Sequence, residues 1–308
     1  MSIITTAQAV PSRLFAIYSS LFDSENGEVK ERIEAWATPP SLASRGADED
    51  GDSSTTLFSN TLSEARRMGL VEEIDGRLRL TDEARGAGKR AQDCEHYFRE
   101  FLLAKLFDAK QSEEAQQSAF MLALSWFLSA NPLKPMNFSA PPQIELRAEI
   151  GENADETELT SLNRYQNFLY WARYLGFATI IGGRDAEDTS SRRAVPDPVR
   201  AIDRVLPVIF SQEDELPIEQ FLSRLAAIFP VFEKGSVRQQ YDSMRLNPPA
   251  NDASAHRLSI ATSLALQRLA DRQRLALNVV ADAPARVLDF GIRDIRISHV
   301  KLRSNANA

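Results

Sequence analysis

The stretch SSTTLFSNTLSEARRMGLVEEIDGRLRLT, residues 53–81, limits what this chain can fold into more than any other part of it. Leu57, Phe58, Leu62, Ala65 and Met68 recur at helical spacing and predict an amphipathic helix from about Thr55 to Met68. Gly69 stops that helix, and the alternating runs LVEEI and RLRLT then flank Asp75-Gly76. A two-residue hairpin turn needs positive φ at both central residues, which Asp-Gly accepts at low cost, so the runs predict the two strands of a hairpin. Thr55, Thr56, Ser59, Asn60, Ser63 and Arg67 lie off the apolar stripe and give the helix a polar face.

Upstream, Pro11 opens the helix SRLFAIYSSLFDS at a position where its missing N–H costs nothing, and Asn26-Gly27 ends it. VKERIEAWA supplies a second helix, closed by Pro39-Pro40. The acidic, turn-rich insert SRGADEDGDSS predicts a solvent-exposed loop before the third helix. Three helices followed by a hairpin predict a winged helix-turn-helix unit over residues 1–85.

The same plan returns twice in different residues. Residues 86–112 predict a connector helix, on the spacing of Phe98, Phe101, Leu102, Lys105 and Leu106. A second unit over 113–210 has EEAQQSAFMLALSWFLSA, PPQIELRAEI and TSLNRYQNFLYWARYLGF as helices. The strands FATIIGG and AVPDP around the polar loop RDAEDTSSRR follow, with VRAIDRVLPVIF as a closing helix. A third unit over 211–303 has the helices IEQFLSRLAAIFPVF (started by Pro217), SVRQQYDSM and HRLSIATSLALQRLADRQRL, then strands within LALNVVAD and ARVLDFGIRDIRISHVKL. Residues 304–308 predict a disordered tail. The expected fold class is therefore mainly α with short β-hairpins, arranged as tandem winged helix-turn-helix units. The recurrence is one of element order, with no residue-level repeat.

No run of about 18 apolar residues is present, so no membrane span is expected. MSIITTAQAVPSRLF lacks a basic segment followed by a long apolar core and does not read as a secretory signal. The single cysteine, Cys94, excludes an intrachain disulfide and fits a reducing cytoplasm, so a cytoplasmic protein is expected.

Catalysis finds little footing. Cys94 and His96 are the only Cys/His pairing, they face different sides of one predicted helix, and no four-ligand metal spacing occurs. The sequence holds no GxxxxGK[ST], GxSxG or HExxH, and no GxGxxG after a strand. Gly182-Gly183 follow a predicted strand, but Asp185, Glu187 and Asp188 in the next loop would repel phosphate. The acidic groups at 48–50 and 152–158 sit among small and charged neighbours and read as solvated loops. The expectation is no enzyme, no metal, no cofactor and no small-molecule substrate.

Nucleic-acid contact has a better physical case. A recognition helix reaches base edges with its N-terminal residues, here Ser54, Thr55, Thr56, Ser59 and Asn60, with Ser63 one turn further on. Asn can pair with an adenine edge, and Ser and Thr can contact bases or phosphates. Arg66, Arg67, Arg77 and Arg79 add positive charge at the helix end and on the hairpin, where Arg77 and Arg79 share a strand face. Arg164, Gln166, Asn167 and Arg173, with the aromatics Tyr165, Phe168, Tyr170, Trp171 and Tyr174, make the second unit's helix a further candidate, for stacking on single-stranded bases, although Phe168, Trp171, Leu175 and Phe177 read more readily as core. Arg192 and Arg193 are a candidate wing tip. Basic residues also gather toward the C-terminus, from Arg257 through Arg268 and Arg286 to Arg303. The net charge of −7 opposes a general attraction to phosphate. It keeps open the alternative of a scaffold whose winged helices dock partner subunits of a multi-subunit complex without touching DNA. A transcriptional repressor fits less well, because no small-molecule domain is evident.

SNTLSEARRMGLVEEIDGRLRLT resembles the recognition helix and wing of bacterial winged-helix proteins. The layout as a whole, carried by AQAVPSRLFAIYSSL, that wing and RYQNFLYWARYLGFATI, is similar to the DpdG proteins encoded with bacterial deazaguanine DNA-modification and restriction genes. The resemblance implies an accessory, non-catalytic component of an anti-phage system that acts on DNA with nuclease or helicase partners. It transfers no catalytic residues.

Overall fold

The computed structural model describes residues 2–6, 9–37, 54–86, 91–108, 110, 112, 117–183, 190–247 and 256–303. The loop expected at 44–54 lies outside them except for Ser54, which begins a helix, and so do the tail at 304–308 and most of the loop between the strands FATIIGG and AVPDP. The chain divides into two compact units, Met1–Ser118 and Ala119–Ala308. It is mainly helical with small antiparallel sheets, as the sequence predicts.

In the first unit, helix α1 (Pro11–Phe22) starts on its proline and buries Leu14, Ile17, Tyr18 and Leu21. A two-residue strand β1 (Glu28–Val29) leads directly into α2 (Lys30–Ala37), where the sequence reads helix alone. Gly27 makes this entry possible. Its φ is +70°, and a Cβ there would lie 2.7 Å from the carbonyl oxygen of Leu78, so any larger residue would push β1 off its partner. Helix α3 (Ser54–Arg67) follows and buries Phe58, Leu62 and Ala65. Strands β2 (Val71–Ile74) and β3 (Arg77–Leu80) are joined by Asp75 (φ 51°) and Gly76 (φ 74°), the two positive values the hairpin turn demands. β3 pairs with both β2 and β1, giving the sheet order β1-β3-β2.

The short helix α4 (Asp82–Arg85) is capped by Thr81, whose hydroxyl accepts from the Ala84 N–H and donates to the Gly69 carbonyl 2.7 Å away. Helix α5 (Cys94–Phe107) is the segment expected as a connector, and its apolar side packs on α1. The Phe98 ring lies 5.0 Å from Tyr18 and 5.5 Å from Phe15. Phe98 is fully buried, and each such side chain contributes about 1.5–3 kcal/mol. α5 is thereby part of the core of this unit.

In the second compact unit, helix α6 (Ser118–Ser129) is buried at every position from Ala119 to Leu128, and such a helix can only be central. Strand β4 (Met136–Asn137) lies inside the proline-rich connection. Helix α7 (Gln143–Ile150), a 3-10 turn (Gly151–Thr157) and helix α8 (Leu162–Leu175) come next. Phe168 of α8 meets Phe120 and Phe127 of α6 at 5.9 and 5.7 Å. Strands β5 (Ala178–Ile181) and β6 (Arg193–Pro196) complete a sheet of order β4-β6-β5.

Helix α9 (Val199–Ile209) packs on α10 (Ile218–Ile228) and α12 (Ile260–Asp271), while α11 (Ser236–Met244) lies between those two in sequence. Strand β7 (Glu215–Pro217) precedes α10. Strand β8 (Leu275–Asn278) follows α12, the hairpin β9 (Arg286–Asp289) and β10 (Asp294–Ile297) forms a two-stranded sheet of its own that packs on α12, and β11 (His299–Leu302) pairs with both β7 and β8. That sheet has the order β7-β11-β8.

Candidate nucleic-acid interface

On α3 the sequence-predicted site residues divide by exposure. Ser59, Ser63 and Arg66 are exposed and lie on one stripe, four and three residues apart. Asn60 is half-buried. The backbone of Ser54, Thr55 and Thr56 forms the first turn of α3, and their side chains lie outside what is described. Phe58, Thr61, Leu62, Glu64, Ala65 and Met68 face inward.

Three of the four arginines of this unit's site are bound to carboxylates. Arg66 pairs with Glu73 of β2. Arg79 donates Nε to Glu72 at 2.8 Å, and the two are direct cross-strand partners. Both pairs are exposed, and such pairs contribute at most about 1 kcal/mol, so a phosphate can compete for either guanidinium. Arg67 is held differently, because its partner Glu64 is 3% exposed and also accepts from the Thr6 hydroxyl at 3.3 Å. Arg67 neutralises a buried carboxylate, and moving it away would leave that charge unpaired. Arg77 donates to the Gly27 carbonyl at 3.3 Å and, among the described residues, makes no ion pair. Pattern reading missed the role of Glu64, although its place three residues after Thr61 and four before Met68 puts it on the edge of the buried stripe.

The basic residues near the C-terminus are mostly engaged within the fold. Arg268 reaches Asp197 at 2.6 Å and Arg274 reaches Asp203 at 2.8 Å. Arg257 pairs with Asp294 and, at 3.3 Å, with Asp289. Arg286 pairs with Glu219, which Lys234 also contacts at 2.7 Å. The Arg286 guanidinium, aided by Lys234, holds the Glu219 carboxyl at about 2, against an ordinary value of 4.5.

On α8, Tyr165, Phe168 and Trp171 are fully buried core residues, while Asn163 and Arg173 are exposed. Arg193 donates to the carbonyls of Ser190 and Arg192, both at 2.9 Å. Burial, with Asp23 nearby, pushes the Cys94 thiol up, away from a reactive thiolate. His96 pairs with Glu100 on its own helix at 3.1 Å. The Gly183 N–H donates to Ser191 Oγ at 3.1 Å, which engages the amide that a phosphate would need. Among the described residues no cluster of His, Cys, Asp and Glu could hold a metal ion, and no helix is long and apolar enough to cross a membrane.

Comparison with known proteins adds one finding. A family model described as DpdG-like matches residues 1–283. No curated protein and no solved structure matches the chain.

Proposed function

The chain belongs to the DpdG-like family, and from that premise we propose that it is a non-catalytic winged-helix protein that engages DNA. It would do so as an accessory component of a bacterial DNA-modification and defence complex, together with protein partners. Family membership fits a role in a DNA-modification system. The observation that carries the winged-helix reading is an order of elements that occurs three times. A helix, a very short strand, two further helices and two strands recur as α1-β1-α2-α3-β2-β3 and as α6-β4-α7-α8-β5-β6. They recur again as α9-β7-α10-α12-β8-β11, with α11 and the β9–β10 hairpin added. Each time the first strand pairs with the last, and the last with the one before it. In this reading α9 opens the third repeat. A third helix backed by such a sheet is free to enter a major groove.

A scaffold that docks partner subunits is the rival. It is favoured by two exposed apolar side chains of the second compact unit, Leu133 at 54% and Ile292 at 91%. Leu133 lies against Gly291, the neighbour of Ile292, so the two share one surface. Titrating a labelled duplex with the intact protein at about 50 and 200 mM salt separates the readings. Retention that weakens steeply with salt supports DNA engagement. No retention at the lower salt, with neighbouring gene products co-purifying, supports the scaffold.

A further inference from the structure

Granting DNA engagement, we infer that the duplex is read by α8, the third helix of the second repeat, and not by its counterpart α3. Asn163, Gln166, Tyr170 and Arg173 stand three, four and three residues apart, so they form one stripe along α8. Asn163 and Arg173 are exposed, Tyr170 is 38% exposed and Gln166 is half-buried. The buried stripe of Tyr165, Phe168, Trp171 and Leu175 fixes the opposite side.

Charge decides between the helices. α3, β2 and β3 together carry four arginines and three glutamates, and three of those arginines are ion-paired. In the third repeat, Arg268 of α12 is tied to Asp197 and Gln267 to Asp271. α8, β5 and β6 carry Arg164, Arg173 and Arg193 and no carboxylate. Arg164 donates to the Thr160 hydroxyl at 3.2 Å, and none of these three arginines forms an ion pair among the described residues. A polyanion therefore meets cations on α8 that need not first leave a carboxylate.

Two members of the stripe are also held by a neighbour, Phe138. Phe138 is buried beside α8, its ring edge-on to Tyr170 at 5.9 Å, and Gln166 Nε2 donates to the Phe138 carbonyl at 3.4 Å. The Arg192 guanidinium lies over the same ring, 5.7 Å from its centroid. A side chain already held in place loses less entropy on binding. Asn163, in the first turn, is the residue type that pairs with adenine in the major groove. Tyr170 and Arg173, about two and three turns on, suit phosphate contact. The sequence between β5 and β6 includes Asp185, Glu187 and Asp188, outside the described residues, and their charge opposes phosphate contact by that loop. The contact is thereby assigned to the helix.

The test is a fluorescence-anisotropy titration of a labelled duplex of about 20 base pairs, long enough for two turns of groove, with the intact chain. Asn163→Ala with Arg173→Ala should weaken binding about tenfold or more and lower the salt slope by about one unit. Ser59→Ala with Ser63→Ala and Arg77→Ala should change binding by less than about threefold. Arg173→Lys, which keeps the charge, should keep the slope. Circular dichroism melts should coincide for all of them, since every substituted residue is exposed. Wild-type binding that survives the α8 substitutions but is lost with those on α3 and its hairpin overturns the assignment and leaves DNA engagement intact. A clear preference for a single strand of the same length overturns groove reading. Failure of the wild-type protein to bind any of these probes overturns DNA engagement itself.

Discussion

The helix–hairpin of the first unit and that of the second repeat share one order of elements and one sheet topology, but not one electrostatic character. On α3, β2 and β3, Arg66, Arg67 and Arg79 each meet a glutamate supplied by the same elements. On α8, β5 and β6 the arginines stand without a carboxylate in those elements. Element order sets the shape offered to a partner. Charge pairing inside the element sets whether a polyanion must displace something before it can bind.

The contrast can be broken most severely at Arg67. Arg67→Ala leaves Glu64 buried without its cation, and urea unfolding should show a loss of about 3 kcal/mol. Arg66→Ala, which breaks an exposed pair on the same helix, should cost less than about 1 kcal/mol. Equal losses would mean that the two pairs are equivalent and that Arg67 does not anchor a buried charge.

A second effect extends the comparison to the third repeat, where arginines serve the fold. Glu219 titrates lower in the folded protein, about 2, than at its ordinary 4.5. A carboxyl depressed on folding contributes stability that is fully present above about pH 4.5 and is lost as pH falls toward 2. Glu219→Gln should remove that contribution, so the thermal midpoint should fall less between pH 5 and pH 3 than it does for the wild type. An unchanged acid profile would show that Arg286 and Lys234 do not hold Glu219 in solution.

The smallest change sharpens the comparison instead. Glu72→Gln with Glu73→Gln releases Arg79 and Arg66 while altering stability by less than about 1 kcal/mol. If internal pairing is what restrains the first unit, affinity for a duplex should rise severalfold and the salt slope should steepen by one to about two units. Unaltered affinity would place the restraint in shape and not in charge.

Most helices were legible from apolar spacing because each buries a long stripe. α3 and its Asp75-Gly76 hairpin emerged where periodicity and turn chemistry predicted them. The strands β1, β4 and β7 were not legible. Each has two or three residues, too few to show alternation, and each exists because a later strand offers it a partner. The apolar face of α5 could be read, but not that α1 covers it, since spacing shows that a face is buried and not what buries it. At the candidate interface the arginines could be listed from sequence. Which glutamate holds which arginine depends on strand register and on the approach of β2 to α3, so the pairing appeared only in three dimensions.

Those three minimal strands carry a consequence for a chain that folds beside copies of itself. A sheet border presents unsatisfied amides and carbonyls, and a long straight border invites intermolecular zippering. Here β1, β4 and β7 each occupy one border of a three-stranded sheet and offer only two or three residues to an intruder. Lengthening any of them would add a template for self-association without adding to the interior.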